Sequence, residues 1–454
     1  MFRAYLGFGI LLLLFFGFQS SSPTSFEQAE EMYLKAMSNG DFSEWPKADS
    51  IFSEIIAKDQ VYPSHRKIQA EVYRLFIKHP KISYKADEKT RNQDLAFIDQ
   101  LLKENPNLEN EQTDTYVQLL MLKSRILYHH NPVESLKNCE ELIDKYKSNQ
   151  NISKTTIASI YETLARNYYA QKFLNKGIHY AIKSFEYFEQ SDWNFKTIAM
   201  AQYAGGGYYN VDKIDSSLYY MEIAYDLLKK TEGDDTPMLK RRSEMAFNIG
   251  VIYQGKTGDY YESEQYLKEA IDMETQAHGE KSQTLITYYS LLADTYYYIK
   301  DIEKASYYGL KAYWLADEVI KTENVYLKSL PSMTLSRIYV EKENYEEARR
   351  LIDVVLEESI DFYGINDKFT TQALIDKAFV EYKAGNFEEA KKHYLMSVEA
   401  AEATGRVYSM SSSYTALTNM FADSKNYDEA LHYALLDWDL INEHFAQEVK
   451  NKAK

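Results

Sequence analysis

The chain has 454 residues, a net charge of −16 and one cysteine, Cys139. No intrachain disulfide can form, and no basic patch or arginine-rich stretch offers nucleic acid a footing. Only 8 prolines and 17 glycines interrupt the chain while tyrosine reaches 41 residues, a composition that favours long helices whose faces carry bulky residues with one polar end.

The N-terminus starts with Arg3, an apolar and glycine run from Ala4 to Phe18, and the small residues Ser20, Ser21 and Ser22 before Pro23. This is the layout of a secretory signal peptide over residues 1–22, cleaved near Ser22. The alternative is an uncleaved anchor, although a run of about 15 apolar residues is short for a span. In both readings the positive end stays inside and the body is expected outside the cytoplasm, periplasmic or secreted. Membrane contact is expected only through such an anchor.

Residues 23–155 carry weaker patterns. Ala48, Phe52 and Ile55 suggest one helix, and Ile98, Leu101 and Leu102 before Asn105-Pro106-Asn107 suggest another. Leu119, Leu122, Leu127 and Leu142 suggest a hairpin broken at His129-His130-Asn131-Pro132. Two or three divergent repeats are expected here, one of them a cap. Cys139 sits at helical spacing within Leu136–Leu142 and reads as a small helix residue.

Residues 156–446 are periodic. Tyr289, Leu292, Ala293 and Tyr296 fall on one face of a helix, Lys300-Asp301 breaks it, and Ala305, Tyr308, Gly309 and Ala312 make a second stripe. The same grammar recurs from Tyr161 and Ala165 through Tyr414 and Ala430, about seven hairpins in all. A cluster of Asn or Asp, an aromatic, two acids and Ala marks each turn most clearly at Asn344–Ala348, Asn386–Ala390 and Asn426–Ala430. The small residues Ser217, Ser263, Ala305, Ala348, Ala390 and Ala430 lie 46, 42, 43, 42 and 40 residues apart. Periods of this size mean stacked helical hairpins. Residues 447–454 read as the end of a C-terminal capping helix.

A small residue and then an aromatic in one helix, followed by Ala in the next, resembles the tetratricopeptide repeat. The long period and connecting segments such as His278-Gly279-Glu280-Lys281 resemble the kinesin-light-chain type of array. The resemblance implies an all-α fold, a right-handed α-solenoid of stacked hairpins, with the extra residues expected in the second helix. It also implies that the first helix of each hairpin lines a concave groove. Mapped onto this chain, the groove gathers Glu162, Arg166, Tyr169, Gln202, Tyr209, Phe247, Gln254, Ser290, Asp294, Tyr297, Arg337, Tyr382 and Asn419. This mixture of tyrosine, amide and scattered charge suits a protein or peptide partner. The carboxylate clamp of chaperone adaptors is not expected, because Glu162, Gln202, Phe247, Ser290, Met333, Ile375 and Thr415 stand where a lysine would be required.

Nothing in the sequence reads as a catalytic site, a metal site or a cofactor site. His129-His130 reads as a solvated turn, and Gly205-Gly206-Gly207 lacks the Lys-Ser/Thr of a phosphate loop. The acidic pairs recur in every turn and suit helix starts, where carboxylates oppose the dipole. The expectation is therefore an exported, non-catalytic scaffold. The alternative is the sensor or substrate-docking part of a larger or split effector, of the CHAT-protease or kinase-associated kind.

Overall fold

The computed structural model describes residues 25–39, 42–57, 64–78, 88–128, 130–191, 194–231, 233, 235–320 and 325–452. The expected signal peptide and His129 lie outside the described residues. Within them the chain forms 21 α-helices and a five-residue π turn, with no strand. The helices divide into two compact units between residues 232 and 233.

Unit 1 comprises α1 (Ser25–Asn39), α2 (Trp45–Ala57), α3 (Ser64–Lys78), α4 (Glu88–Glu104), the single turn α5 (Leu108–Glu111), α6 (Thr113–Leu127), α7 (Pro132–Tyr146), α8 (Lys154–Ala170), α9 (Leu174–Phe188), α10 (Asn194–Asn210) and α11 (Ile214–Lys230). Unit 2 comprises α12 (Thr236–Ile252), α13 (Tyr260–His278), α14 (Thr284–Ile299), α15 (Ile302–Val319), α16 (Val325–Glu341), α17 (Tyr345–Tyr363), α18 (Lys368–Lys383), α19 (Phe387–Glu402), α20 (Val407–Asp423) and α21 (Tyr427–Lys452). From α6 onward, each first helix packs along its second, giving the expected hairpins.

The recurring turn cluster has a local physical cause. Between α14 and α15, Lys300 takes a left-handed conformation with φ 68. The next residue, Asp301, donates its backbone N–H to the Tyr296 carbonyl at 3.0 Å and accepts the Lys304 N–H on its carboxylate at 3.1 Å. One residue therefore closes the first helix and caps the second. Glu343-Asn344 repeats this with bonds of 2.9 Å to Tyr339 and 3.2 Å from Glu347. Lys425-Asn426 does so with 2.8 Å to Phe421 and 3.4 Å from Glu429. Asn386 keeps the backbone bond, but its side-chain amide donates to Glu381 instead. The alanine that ends each cluster, Ala305, Ala348, Ala390 or Ala430, is buried where two helices meet.

The long period is shared between the two helices, which differs from the sequence expectation. α13 and α17 have 19 residues, but their first helices α12 and α16 have 17. The first helices are long because their apolar stripes run four turns; in α14, Leu285, Tyr289, Leu292 and Tyr296 are all buried.

Candidate protein-binding surface

First helices form the inner layer of each unit. In unit 2, α14 packs on α16, α16 on α18 and α18 on α20, whereas the second helices show no comparable mutual packing among the described residues. In unit 1, α3 packs on α6 and α6 on α8, but the series also closes on itself. α1 packs against both α3 and α10. Phe42, just before α2, sets its ring edge-on to Phe195 at the start of α10, with centroids 5.7 Å apart. α1 is held there by an apolar cluster of Phe26, Tyr33, Trp45, Phe52 and Tyr73.

Closure makes one expected groove residue, Glu162, an interior group and leaves a second, Arg166, half-buried beside it. Glu162 is 1% exposed. It accepts from Arg125 Nη2 at 3.1 Å, Arg166 Nε at 3.1 Å, and Lys196 Nζ at 2.9 and 3.0 Å. Arg125 also donates to Thr163 Oγ1 at 3.2 Å, and Arg166 donates to the Tyr203 hydroxyl while lying over its ring. Three cations thus surround one carboxylate. Burial alone would raise the Glu162 carboxyl, but Lys196, Arg166 and Arg125 outweigh it and hold it far below the usual carboxylate range. Burial pushes the Lys196 ammonium down to about 8, and repulsion from Arg125 and Arg166 opposes the attraction of Glu162. Arg125 and Lys196 were not singled out in the sequence. They lie 37 and 34 residues from Glu162, short of the 40-residue period, on the first helices before and after α8, and that placement is the signal that could have found them.

Unit 2 carries a polar row across three consecutive first helices. Asp294 on α14 accepts from Arg337 Nη2 on α16 at 2.9 Å. Asp376 on α18 lies 4.0 Å from Arg337 Nε, and the two facing atoms have no hydrogen-bond partner. Burial raises both carboxyls; for Asp376 burial, opposed by Arg337 and reinforced by Asp294, pushes it up to about 6. Tyr298 lies beside this row, exposed and stacked on Tyr260 with centroids 5.0 Å apart. Asp376 and Tyr298 were also missed in the sequence, because both sit outside the repeat positions used to choose groove residues.

The remaining expected residues divide by accessibility. Tyr209 and Asn419 are exposed. Tyr169 is half-buried, its hydroxyl donating to the Tyr203 carbonyl at 2.9 Å and its ring filling space above Gly177 and Gly207. Gln202 is half-buried, and Phe247 stacks on Tyr288 with centroids 4.4 Å apart. Gln254 donates to the Leu291 carbonyl at 3.3 Å and to Thr295 Oγ1 at 3.2 Å, bridging neighbouring hairpins. Ser290 is buried, its hydroxyl donating to the Ile286 carbonyl. Tyr297 is buried and donates to Glu341 at 3.1 Å, while Tyr382 donates to Asp423.

Other side chains raised by the sequence fall elsewhere. Cys139 is buried in the unit 1 core, where burial pushes its thiol up to about 12. His130 is exposed in the turn before α7. Among the described residues, no group of three or more His, Cys, Asp or Glu side chains is placed to hold a metal ion. Among them, too, no helix is long and apolar enough to cross a membrane.

These stacked hairpins, with small residues at their contacts and capped turns between them, define an all-helical repeat protein. The tetratricopeptide repeat family model matches residues 241–318, the stretch from α12 to α15, and the stacked helical hairpins of the chain have a tetratricopeptide-like fold. The apo form of RapI has a similar fold, with a TM-score of 0.58 at 14% identity over 84% of this chain and 98% of that one. A Rap protein complexed with competence and sporulation factor gives 0.47 at 14% identity over 84% and 99% of the two chains. A signal-transduction ATPase with a tetratricopeptide repeat sensor from Pyrococcus horikoshii gives 0.47 at 18% identity over 78% and 53%. No curated protein matches the sequence.

Proposed function

We propose that the protein is a non-catalytic scaffold that holds a protein or peptide segment against the first-helix face of unit 2. The observation that carries this reading is the row Asp294–Arg337–Asp376, flanked by exposed Tyr298, on helices that form the inner layer of the unit. Aromatic rings beside partly desolvated charges are the usual anchors of binding energy. The corresponding face of unit 1 is taken by α1, so Glu162 and Arg166 serve the fold there. The test is capture by the immobilised protein from the extracytoplasmic fraction, comparing Tyr298→Ala with Trp314→Ala on the exposed face of α15. Loss of partners with the first variant only supports the reading. Loss with Trp314→Ala and retention with Tyr298→Ala would place binding elsewhere.

The same proposal includes export, supported by Arg3, the apolar run to Phe18 and the three serines before Pro23. N-terminal sequencing of the mature protein is expected to begin near Pro23. A chain beginning at Met1 in the cytosolic fraction would refute it.

A further inference from the structure

The last helix of unit 2 leaves one apolar face uncovered. Within this unit each earlier second helix is covered by the next first helix: α13 by α14, α15 by α16, α17 by α18 and α19 by α20. The repeat register makes single positions comparable. Eight residues beyond the buried alanines Ala348, Ala390 and Ala430 stand Leu356, Val398 and Trp438. Leu356 packs into a cluster with Ala373 and Val380 of α18. Val398 is 5% exposed, in a cluster with Met410 and Tyr414 of α20. Trp438 is 67% exposed.

Trp438 is part of a stripe. Leu431, Leu435, Trp438 and Phe445 lie on one side of α21 at helical spacing, and each is more than half exposed. The opposite side buries Ala430 and Tyr433 and lays Leu440 against Val398 and Met410. α21 is therefore amphipathic in the way of a helix sandwiched between two layers, with one layer in place. An exposed contiguous apolar patch of this kind marks an interaction surface.

Charge selects the occupant. Along α21 six acids, Asp428, Glu429, Asp437, Asp439, Glu443 and Glu448, outnumber two basic residues, Lys450 and Lys452, which stand beyond the apolar stripe at the end of the helix. Two of the acids face inward, Glu429 toward Lys391 at 3.5 Å and Asp437 accepting from Thr415 at 3.1 Å. Asp428, Asp439 and Glu443 are exposed and form no ion pair among the described residues. A second copy of this face would bring carboxylates against carboxylates. We propose that the outer face of α21 docks an amphipathic helix of a partner protein whose apolar stripe is bordered by Lys and Arg, taking the place of a next first helix. This surface is separate from the first-helix face of unit 2, and neither reading depends on the other.

The test uses the full chain and two labelled helical peptides with the same leucine stripe, one with lysine margins and one with glutamate margins. Binding is read by fluorescence anisotropy, and oligomeric state by sedimentation. The lysine peptide is expected to bind at least tenfold more tightly than the glutamate peptide. Trp438→Glu is expected to weaken it at least tenfold, even though it adds negative charge, while Trp314→Glu leaves it unchanged. Equal affinity for the two peptides, or undiminished binding to Trp438→Glu, would overturn the proposal. A wild-type dimer that Trp438→Glu dissociates would overturn it in favour of self-association. The melting temperature of each variant separates loss of binding from loss of fold.

Discussion

Lys196→Met should stabilise unit 1 at neutral pH, although it removes two hydrogen bonds to Glu162. Methionine keeps most of the apolar stem and removes the third cation from the cluster, leaving Glu162 bonded to Arg125 and Arg166. In the native protein the ammonium falls from 10.5 to about 8, chiefly through burial. At about 1.4 kcal/mol per unit, holding that charge inside the fold at pH 7 costs about 3 kcal/mol. Lys196 is also the strongest of the three cations in holding Glu162 ionised, and losing it offsets part of this, so we expect a gain of up to about 2 kcal/mol in urea unfolding followed by circular dichroism. The pH dependence has a definite sign. The folded value lies below the unfolded one, so between about pH 8 and 10.5 the unfolded chain binds more protons and native stability rises with pH. The variant lacks that contribution, so its advantage should be largest at pH 7 and shrink by pH 9.5. A variant less stable than the native protein at pH 7 by 1 kcal/mol or more would refute the reasoning. So would a difference that stays constant across this range.

Three further expectations concern stability. Asp376 is raised to about 6 by burial, so native stability should fall as pH rises from about 4 to 6. Asp376→Asn should therefore raise the melting temperature at pH 7.5 and leave it nearly unchanged at pH 4.5. In the glycine triplet of α10, a Cβ on Gly206 would meet nothing within 4 Å, whereas one on Gly207 would press into Tyr169 and come within 2.6 Å of Ile178. Thermal melts should show Gly206→Ala stabilising by about 0.5–1 kcal/mol and Gly207→Ala destabilising by about 1–3 kcal/mol. Glu343 and Gly385 occupy the same left-handed turn position, at φ 56 and 86. Denaturant midpoints should place Glu343→Gly up to about 1 kcal/mol above the native protein, and Gly385→Ala about 1 kcal/mol below it.

The hairpins were legible because their causes are local. A small residue at each helix contact, an aromatic one turn away and an Asn or Asp at the turn are sequence-near, and they recur with one period. The candidate surface was only partly legible. Asp294 and Arg337 were found because they fall at repeat positions, and they do meet. Glu162 and Arg166 were also found by register, yet Glu162 is buried and Arg166 half-buried in unit 1, where α1 returns to α10. No local pattern announces a contact between elements so far apart in the chain, and the groove rule assumes that none exists. The uncovered stripe of α21 had the opposite problem. Its Trp438 sits at a position that is core in the preceding hairpins, so pattern alone reads it as buried.

The repeat therefore assigns positions but not their environments. The capped turn and the buried alanine satisfy the backbone and packing needs of each hairpin locally, so the outward positions of the first helix carry no obligation to the hairpin itself. What they become depends on what lies opposite. Opposite α8 stand Arg125 and Lys196, and Glu162 becomes an interior counter-ion. On α14 and α16 the same class of position holds Asp294 and Arg337, and Asp376 of α18, outside that register, faces Arg337 with both facing atoms unbonded. Two clusters of opposite excess charge, both drawn from the inner layer, mean that net charge along the chain cannot identify the binding face. The difference lies in bonding: three cations satisfy Glu162 in unit 1, whereas the buried contact of Arg337 with Asp376 in unit 2 leaves its facing atoms unbonded beside an exposed tyrosine.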